Sequence, residues 1–246
     1  MEHIFEELAP HKLAHWPKVF GIDFSPTTIT LFLFIAMFIS FFVVWLGARR
    51  PQLVPRGWQN VIEALVEFVR NGICRDVIGP EGEVWFPFIG TLFIFILVSN
   101  LIGLIPLFKT ATSVTSTTAA WALIVFVAYN AVGIKKKGLI KYFLSFIPHG
   151  VPMWLAPIMW VLEFISHLLR PFSLAVRLFA NMTAGHLVIG IFTMFALNIA
   201  IFPLKGIPFL AIIVIMMFEL FVSAIQAYIF SVLAAIYIGG AISAEH

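Results

Sequence analysis

The sequence has little charge and almost no cysteine, and both shortages narrow its class. Charged residues make up 11% of the 246 positions and hydrophobic residues 61%, whereas soluble domains have about 25% and about 45–50%. The mean hydropathy of +1.04 agrees with this balance. We therefore expect an integral membrane protein, with room for about five spans. The single cysteine, Cys74, excludes an intrachain disulfide and a cysteine-based metal site.

Several motifs and patterns are also missing. Neither H-E-x-x-H nor G-x-S-x-G occurs, so nothing indicates an intramembrane hydrolase. No internal repeat is visible, whereas secondary transporters often have inverted repeats; a stand-alone ion-coupled secondary transporter remains the alternative function. Residues 1–25 have no uninterrupted apolar core, so we predict no cleavable signal peptide and take them as an outer N-terminal segment.

Apolar runs and their boundaries predict an all-α polytopic membrane protein, a single membrane domain over residues 1–246. It has about five transmembrane helices plus one interfacial amphipathic helix. Ser25-Pro26 is a helix start signal, with the serine as cap. The predicted segments are spans at 26–48, 85–107 and 119–134, an interfacial helix at 56–75, a long tilted helix at 154–197 and a long last helix at 208–240.

The interfacial helix is predicted from its one apolar face. Residues at i, i+3 and i+4 spacing are apolar, and charged or amide side chains occupy the other face. A helix packed on a soluble domain would show the same pattern, but the sequence contains no such domain, so the membrane surface is favoured. The apolar positions are Trp58, Val61, Ile62, Leu65, Val66 and Val69.

Residues 154–197 are too long for one perpendicular span. A helix of that length measures about 65 Å, against a hydrocarbon core of about 30 Å, so it either tilts or breaks at Pro171. Inside loops contain nine lysines and arginines and outside segments four, as the positive-inside rule expects. A break would put Arg170 and Arg177 outside, so we predict one long helix, an outer N-terminus and a cytoplasmic C-terminus. A neighbouring helix would have to satisfy the carbonyl that Pro171 frees.

That long helix contains a polar stripe. Glu163, Arg170 and Arg177 are seven residues apart and share one face. Asn181 joins the same face four residues later, while His186 lies half a turn away. An ionisable side chain costs about 2.5–3.5 kcal/mol at the centre of a membrane helix, and such residues normally mark an ion path.

The two terminal helices are joined near residue 202, so facing residues should have numbers that add up to about 404. Arg177 with Gln226 gives 403, and His186 with Glu219 gives 405. Glu163 lies about 21 Å inward of Arg177. The sequence thus predicts an inner acid, a central fixed cation and an outer histidine–carboxylate pair, an arrangement of two half-paths separated by an arginine.

Three segments resemble the a subunit of F-type ATP synthases: SNLIGLIP, SLAVRLFANMTAGH and ELFVSAIQAYIFSVLAAIY. The resemblance covers nearly the whole chain. It implies that Arg177 is the family's essential arginine and Gln226 its partner. It further implies that Asn181, His186 and Glu219 belong to the uptake path and Glu163 to the release path. We expect further residues to line the path: His167, Ser173, Ser223 and Tyr237.

The sequence departs from some members of that family at three positions. In some relatives the position of His186 is acidic and that of Glu219 is histidine, a swap that keeps one acid and one imidazole. Gly103 stands where some relatives have an acid, so a carboxylate from the third helix is not expected here. The positions of His186 and Glu219 also allow a purely structural contact between them instead of a proton relay.

The resemblance implies a function without covalent chemistry. The chain would be the stator of a proton channel, loading and unloading protons on the carboxylates of a rotating c-ring, and would not be catalytic by itself. Implied partners are the c-ring, b-type peripheral stalk subunits and the bilayer, with no nucleic acid and no cofactor, in a bacterial inner membrane. Whether the ion is H⁺ or Na⁺ depends mainly on the ring carboxylate, which belongs to another chain.

Three of these residues also have other interpretations. A lone buried arginine such as Arg177 can lock helices together. Glu163 and His167 are four residues apart, a spacing that metal ligands share, but two ligands without a third argue against a metal site. Lining the inner path is the favoured interpretation of His167.

Overall fold

A computed structural model describes residues 25–49, 52, 54–105, 111–147, 152–198 and 206–242. Within those ranges the chain is helical and has no β-strand. A π-helix, Arg70–Ile78, continues the second α-helix, and a 3₁₀ turn, Ala111–Ser113, precedes the fourth. The α-helices in these ranges are α1 (Thr28–Ala48), α2 (Trp58–Val69), α3 (Gly82–Gly103), α4 (Thr115–Lys137), α5 (Leu139–Leu144), α6 (Ala156–Asn198) and α7 (Gly206–Ile242).

Five of these helices, α1, α3, α4, α6 and α7, are long and apolar enough to cross a membrane. Many of their large apolar side chains are exposed; Phe34, Phe38 and Phe41 of α1 are 54%, 65% and 68% exposed. Water would not tolerate so much exposed apolar surface, whereas lipid does. The predicted all-α polytopic membrane fold is confirmed.

Several helix ends differ from the sequence-based boundaries. Thr27, not Ser25, caps α1, because Thr27 and Thr30 each accept a hydrogen bond from the other's backbone N–H. Helix α4 begins four residues earlier than expected, in the Ser/Thr-rich turn, and its last turn consists of Lys135 to Lys137. Positive charges there interact favourably with the helix dipole, which explains why the lysines extend α4 and do not stop it.

Two compact units divide the chain. The first unit comprises residues 1–62, 94–114 and 178–227. Within it, a Cβ at Gly47 of α1 would lie 2.6 Å from the Cβ of Ile62, so the two backbones approach closely. In the same unit the Asn100 amide of α3 reaches the Ser223 carbonyl of α7, at 3.5 Å.

The second unit comprises residues 63–93, 115–177 and 228–246. Gly138 separates α4 from α5 with a φ of 77°, which glycine adopts without strain. The Tyr142 ring of α5 packs where Gly133 of α4 has no side chain. The Trp160 indole of α6 donates to the Phe143 carbonyl, at 2.9 Å. Helices α4, α5 and α6 are thus joined within this unit.

Helix α6 continues through Pro171, so the structure contains one long helix and not two shorter spans. Proline has no N–H, and the backbone acceptor that this leaves without a helical donor is the carbonyl four residues earlier, that of His167. The Tyr129 hydroxyl of α4 donates to that carbonyl, at 3.4 Å. A neighbouring helix therefore satisfies the freed group, which is the condition for Pro171 to be tolerated within one helix.

Candidate functional site

The predicted site residues fall in both units. Arg177 and Gln226 belong to different units, so their pairing stays a prediction. The second unit contains Glu163, His167, Ser173, Arg177 and Tyr237, and the first contains Asn181, His186, Glu219, Ser223 and Gln226.

Arg177 is the midpoint of α6, with equal lengths of helix before and after it. Its side chain is exposed, as is that of Ser173 one turn earlier, whereas Leu174 and Leu178 are buried. No hydrogen bond or ion pair joins the guanidinium to another described residue of its unit. A permanent positive charge therefore lies on the exposed face of a helix that can span the membrane.

Glu163 and Arg170 form an ion pair in the second unit. Their oxygen and nitrogen are 3.0 Å apart, and the side chains are 40% and 35% exposed. The Arg170 guanidinium also lies 5.5 Å from the centre of the Tyr237 ring, within cation–π distance. Arg170 is thus the partner of Glu163, which sequence spacing placed on the same face without identifying the contact.

His167 is almost completely buried in what we call the histidine cluster: Tyr129, Asn130, Tyr142 and His167. The Asn130 amide nitrogen donates to the Phe126 carbonyl, at 2.7 Å, which fixes the orientation of the amide. Its oxygen lies 3.0 Å from the imidazole Nε2 and accepts from the Tyr142 hydroxyl, also at 3.0 Å. Because a carbonyl oxygen only accepts, Nε2 must carry a hydrogen.

Tyr142 is held in its donor form. Burial raises the pKa of its hydroxyl to about 12, against the opposing effect of the Arg170 charge. The sequence indicated His167 but none of its three partners. Asn130 within an apolar helix was the one available signal, since a buried amide needs partners.

Glu219 and Gly185 are in contact in the first unit. A Cβ at Gly185 would collide with the Glu219 carboxyl group, which is 8% exposed. The two residue numbers add up to 404, so this part of α6 and α7 has the register that the sequence predicted. The absence of a side chain at Gly185 thus leaves room for the Glu219 carboxyl group. The next residue, His186, is half-buried and has polar or ring contacts of its own.

A second group in this unit consists of buried polar atoms without a hydrogen-bond partner among the described residues. We call it the open polar set: the hydroxyls of Ser99, Thr183 and Ser223 and the amide nitrogen of Gln226. Beside it, the fully buried Asn100 accepts from the Thr112 hydroxyl, at 3.0 Å. The sequence pointed to Ser223 and Gln226 but missed Ser99 and Thr183, because one hydroxyl in an apolar helix is a weak signal.

The fold defines a multi-pass α-helical membrane protein, and comparison with known proteins gives its family. A family model described as ATP synthase A chain matches residues 30–239. The chain is 39% identical to ATP synthase subunit a of Rhodospirillum rubrum over 226 residues, 92% of each chain. It is 40% identical to that of Xanthobacter autotrophicus over 232 residues, again 92% of each. With the protein of that name from Ehrlichia ruminantium the identity is 39%, over 91% of this chain and 90% of the relative.

The chain therefore belongs to the ATP synthase A chain family. It is a component of the membrane sector of the F-type ATP synthase. Membership of this family confirms the resemblance that the sequence motifs indicated.

Proposed function

We propose that this chain is the stator half of a rotary proton channel, with no catalysis of its own. It supplies two half-paths that load and unload protons on the carboxylates of a rotating c-ring, and so couples proton flow to ATP synthesis. The observation that carries the proposal is the exposed Arg177 at the centre of α6. An unneutralised charge at that depth costs several kcal/mol, about 2.5–3.5 on insertion scales, so it calls for an anion or water on its exposed side.

A carboxylate on a passing ring subunit meets that requirement. Arg177 cannot lose its proton at accessible pH, so it attracts an ionised acid and prevents protons from passing directly between the half-paths. Once protonated, the acid can face lipid, since burying the neutral form costs far less than burying the ion. Gln226 acts as the neutral partner of Arg177 in this scheme.

The uptake half-path is assigned to the first unit, with Asn181, His186, Glu219 and Ser223. Its open polar set supports this assignment, because buried polar atoms without protein partners are normally bonded to ordered water. Water and carboxylate together can carry a proton to the ring acid.

The release half-path is assigned to Glu163 in the second unit, with His167, Ser173 and Tyr237 along it. Arg170 supports this role, because its ion pair holds the Glu163 carboxylate in a fixed position within the second unit. Glu163 and Arg177 are separated by about 21 Å of helix. Because Arg177 lies between the two half-paths in this scheme, a proton needs the rotating ring to pass from one half-path to the other. Each proton moved through 100 mV supplies about 2.3 kcal/mol.

Arg177→Ala tests the proposal. We expect it to abolish proton-driven ATP synthesis in membrane vesicles while insertion and assembly continue. Arg177→Lys should also fail, because an ammonium lacks the planar fork and can lose its proton away from water, at membrane depth. Arg75→Ala, at an exposed arginine of the π-helix, is the matched control and should keep normal synthesis. Normal rates in the Arg177→Ala vesicles would refute the proposal.

The proposal also predicts the partner subunits and the membrane topology of the chain. We expect a tagged chain to co-purify with a ring of small hairpin subunits and with b-type stalk subunits; a stand-alone transporter would run without them.

We place the chain in the bacterial inner membrane with residue 12 outside and residues 137 and 246 cytoplasmic. Single cysteines at 12 and 137, in a background lacking Cys74, can be labelled with an impermeant reagent. Labelling of position 137 from outside would contradict this topology.

A further inference from the structure

We infer that the end of α1 and the start of α2 form a binding site for the phosphate group of an anionic membrane lipid. A cavity of about 620 Å³ lies there, within the first unit. Its volume is within the range of about 300–1,000 Å³ that small-ligand sites occupy. The inference requires only that the chain crosses a membrane and does not depend on the proposed rotary function.

The charge of the cavity is positive. Arg49 follows the end of α1, and Arg56 precedes α2; both line the cavity, and no carboxylate among the described residues does. Arginine binds phosphate through its planar fork of N–H donors. Because the two arginines come from opposite sides of the α1–α2 connection, one phosphate between them would relieve their repulsion.

The walls of the cavity are held by the protein itself. Gln59 is 8% exposed, and its amide makes two bonds with the backbone of Gln52, to its N–H at 3.2 Å and its carbonyl at 3.1 Å. Gly47 packs directly on Ile62 behind them. These contacts join the chain between the helices to the first turn of α2, so a ligand would meet a largely preformed site.

Two tryptophans suggest that the ligand is a lipid. Trp58 lines the cavity and is 52% exposed, and Trp45 lies under the Arg49 guanidinium, at 4.8 Å. Tryptophan is enriched at the level of lipid headgroups. Stacking on Trp45 leaves the N–H groups at the edge of the Arg49 guanidinium available for a phosphate. A soluble phosphate would have no use for these exposed apolar rings.

The test uses the purified complete complex in mild detergent, titrated with dioleoylphosphatidylglycerol and followed by native mass spectrometry. We expect one lipid to bind this chain tightly, and the Arg49→Gln/Arg56→Gln variant to bind it on the order of tenfold more weakly, since each surface arginine contributes to the attraction. Arg75→Gln/Lys137→Gln removes two other cations and should bind as the unaltered protein does. Dioleoylphosphatidylcholine, which has no net charge, should bind the unaltered protein as weakly as phosphatidylglycerol binds the double variant.

Three outcomes would overturn the inference: equal binding of the two lipids, equal losses in both double variants, or displacement of the lipid by millimolar inorganic phosphate. The last would identify the ligand as a soluble phosphate. If the double variant does not assemble, Arg56→Gln alone keeps one arginine and should weaken phosphatidylglycerol binding on the order of threefold. Unchanged binding in that single variant would count equally against the site.

Discussion

The two units treat buried polar side chains in opposite ways. In the first unit, the open polar set has hydroxyls and an amide nitrogen without a hydrogen-bond partner among the described residues. In the second, hydrogen bonds connect the side chains of His167, Asn130 and Tyr142, and the Tyr129 hydroxyl donates to the His167 backbone carbonyl. Ser231 is the one buried hydroxyl there that lacks a partner among the described residues. A buried polar group left unsatisfied costs about 1–3 kcal/mol, so another interaction must offset this cost in the first unit.

Hydrogen bonding to water is the simplest explanation for these open polar atoms. Buried polar atoms that protein does not satisfy usually bind ordered water, and a path for protons needs such water. A fully bonded cluster does the reverse, because it excludes water and fixes the helices that carry it. On the proposed function, the first unit contains the hydrated uptake path, and the histidine cluster of the second unit maintains the shape in which Glu163 and Arg177 operate.

The strongest test of this difference removes the acid of the first unit. Glu219→Ala and His186→Ala should each reduce ATP-driven proton pumping in inverted vesicles by about tenfold or more, as is typical for a positioned proton-transfer group. The loss of pumping should be larger than any loss of stability, because neither residue belongs to the bonded cluster.

The exchanged variant His186→Glu/Glu219→His is the control for this pair. It returns one acid and one imidazole to the same depth, so pumping at equal assembly should recover much of its rate. If the exchanged variant pumps no better than the worse single variant, a relay between the two side chains is wrong. Normal pumping in both single variants would place the uptake path elsewhere, along Asn181 and Ser223.

The second unit should respond in the opposite manner. His167→Ala leaves a cavity and deprives the Asn130 oxygen of one of its hydrogen bonds, so we expect a loss of about 3 kcal/mol of stability. The thermal unfolding midpoint of the detergent-purified complex would show it. Ser166→Ala, at the exposed neighbouring position, should leave the midpoint unchanged. A His167→Ala complex that unfolds normally but no longer pumps would show that His167 acts in the release path and does not stabilise the second unit.

The sequence predicted the fold better than it predicted these contacts. Length and hydropathy were enough for the five long helices, and the charge distribution favoured one continuous α6 through Pro171. The partners of His167 could not be predicted, because Tyr129 and Tyr142 are typical membrane-helix and interfacial residues until packing brings them together. The open polar set was missed in part for a related reason: whether a serine is satisfied depends on its neighbours and not on its own position.

Ser223→Ala should have a smaller effect than either change above. The Ser223 hydroxyl has no hydrogen-bond partner among the described residues, so its removal breaks no protein contact and should change stability by about 0.5 kcal/mol or less. Loss of one water-binding group should still slow pumping about two- to threefold. Ala227→Ser, which adds a hydroxyl four residues later in the same unit, is a matched change that should not raise pumping. A stability loss above about 1 kcal/mol would show that the hydroxyl of Ser223 is bonded after all.

The last test concerns Cys74, which is completely buried in the π-helix of the second unit. Burial raises the pKa of its thiol from 9.0 to about 11. The thiol form is therefore favoured by folding, and that stabilisation is complete below about pH 9 and lost as the pH rises toward 11. Because the thiolate is the reactive form, Cys74 should react with a small methanethiosulfonate at pH 8 about two orders of magnitude more slowly than an exposed cysteine. Ser223→Cys, in a background lacking Cys74, is the matched probe of the first unit, and water around it should let it react at a rate near that of an exposed thiol. Equal reactivity at the two buried positions, measured by mass shift of the isolated chain, would remove the difference in hydration on which the contrast between the units rests.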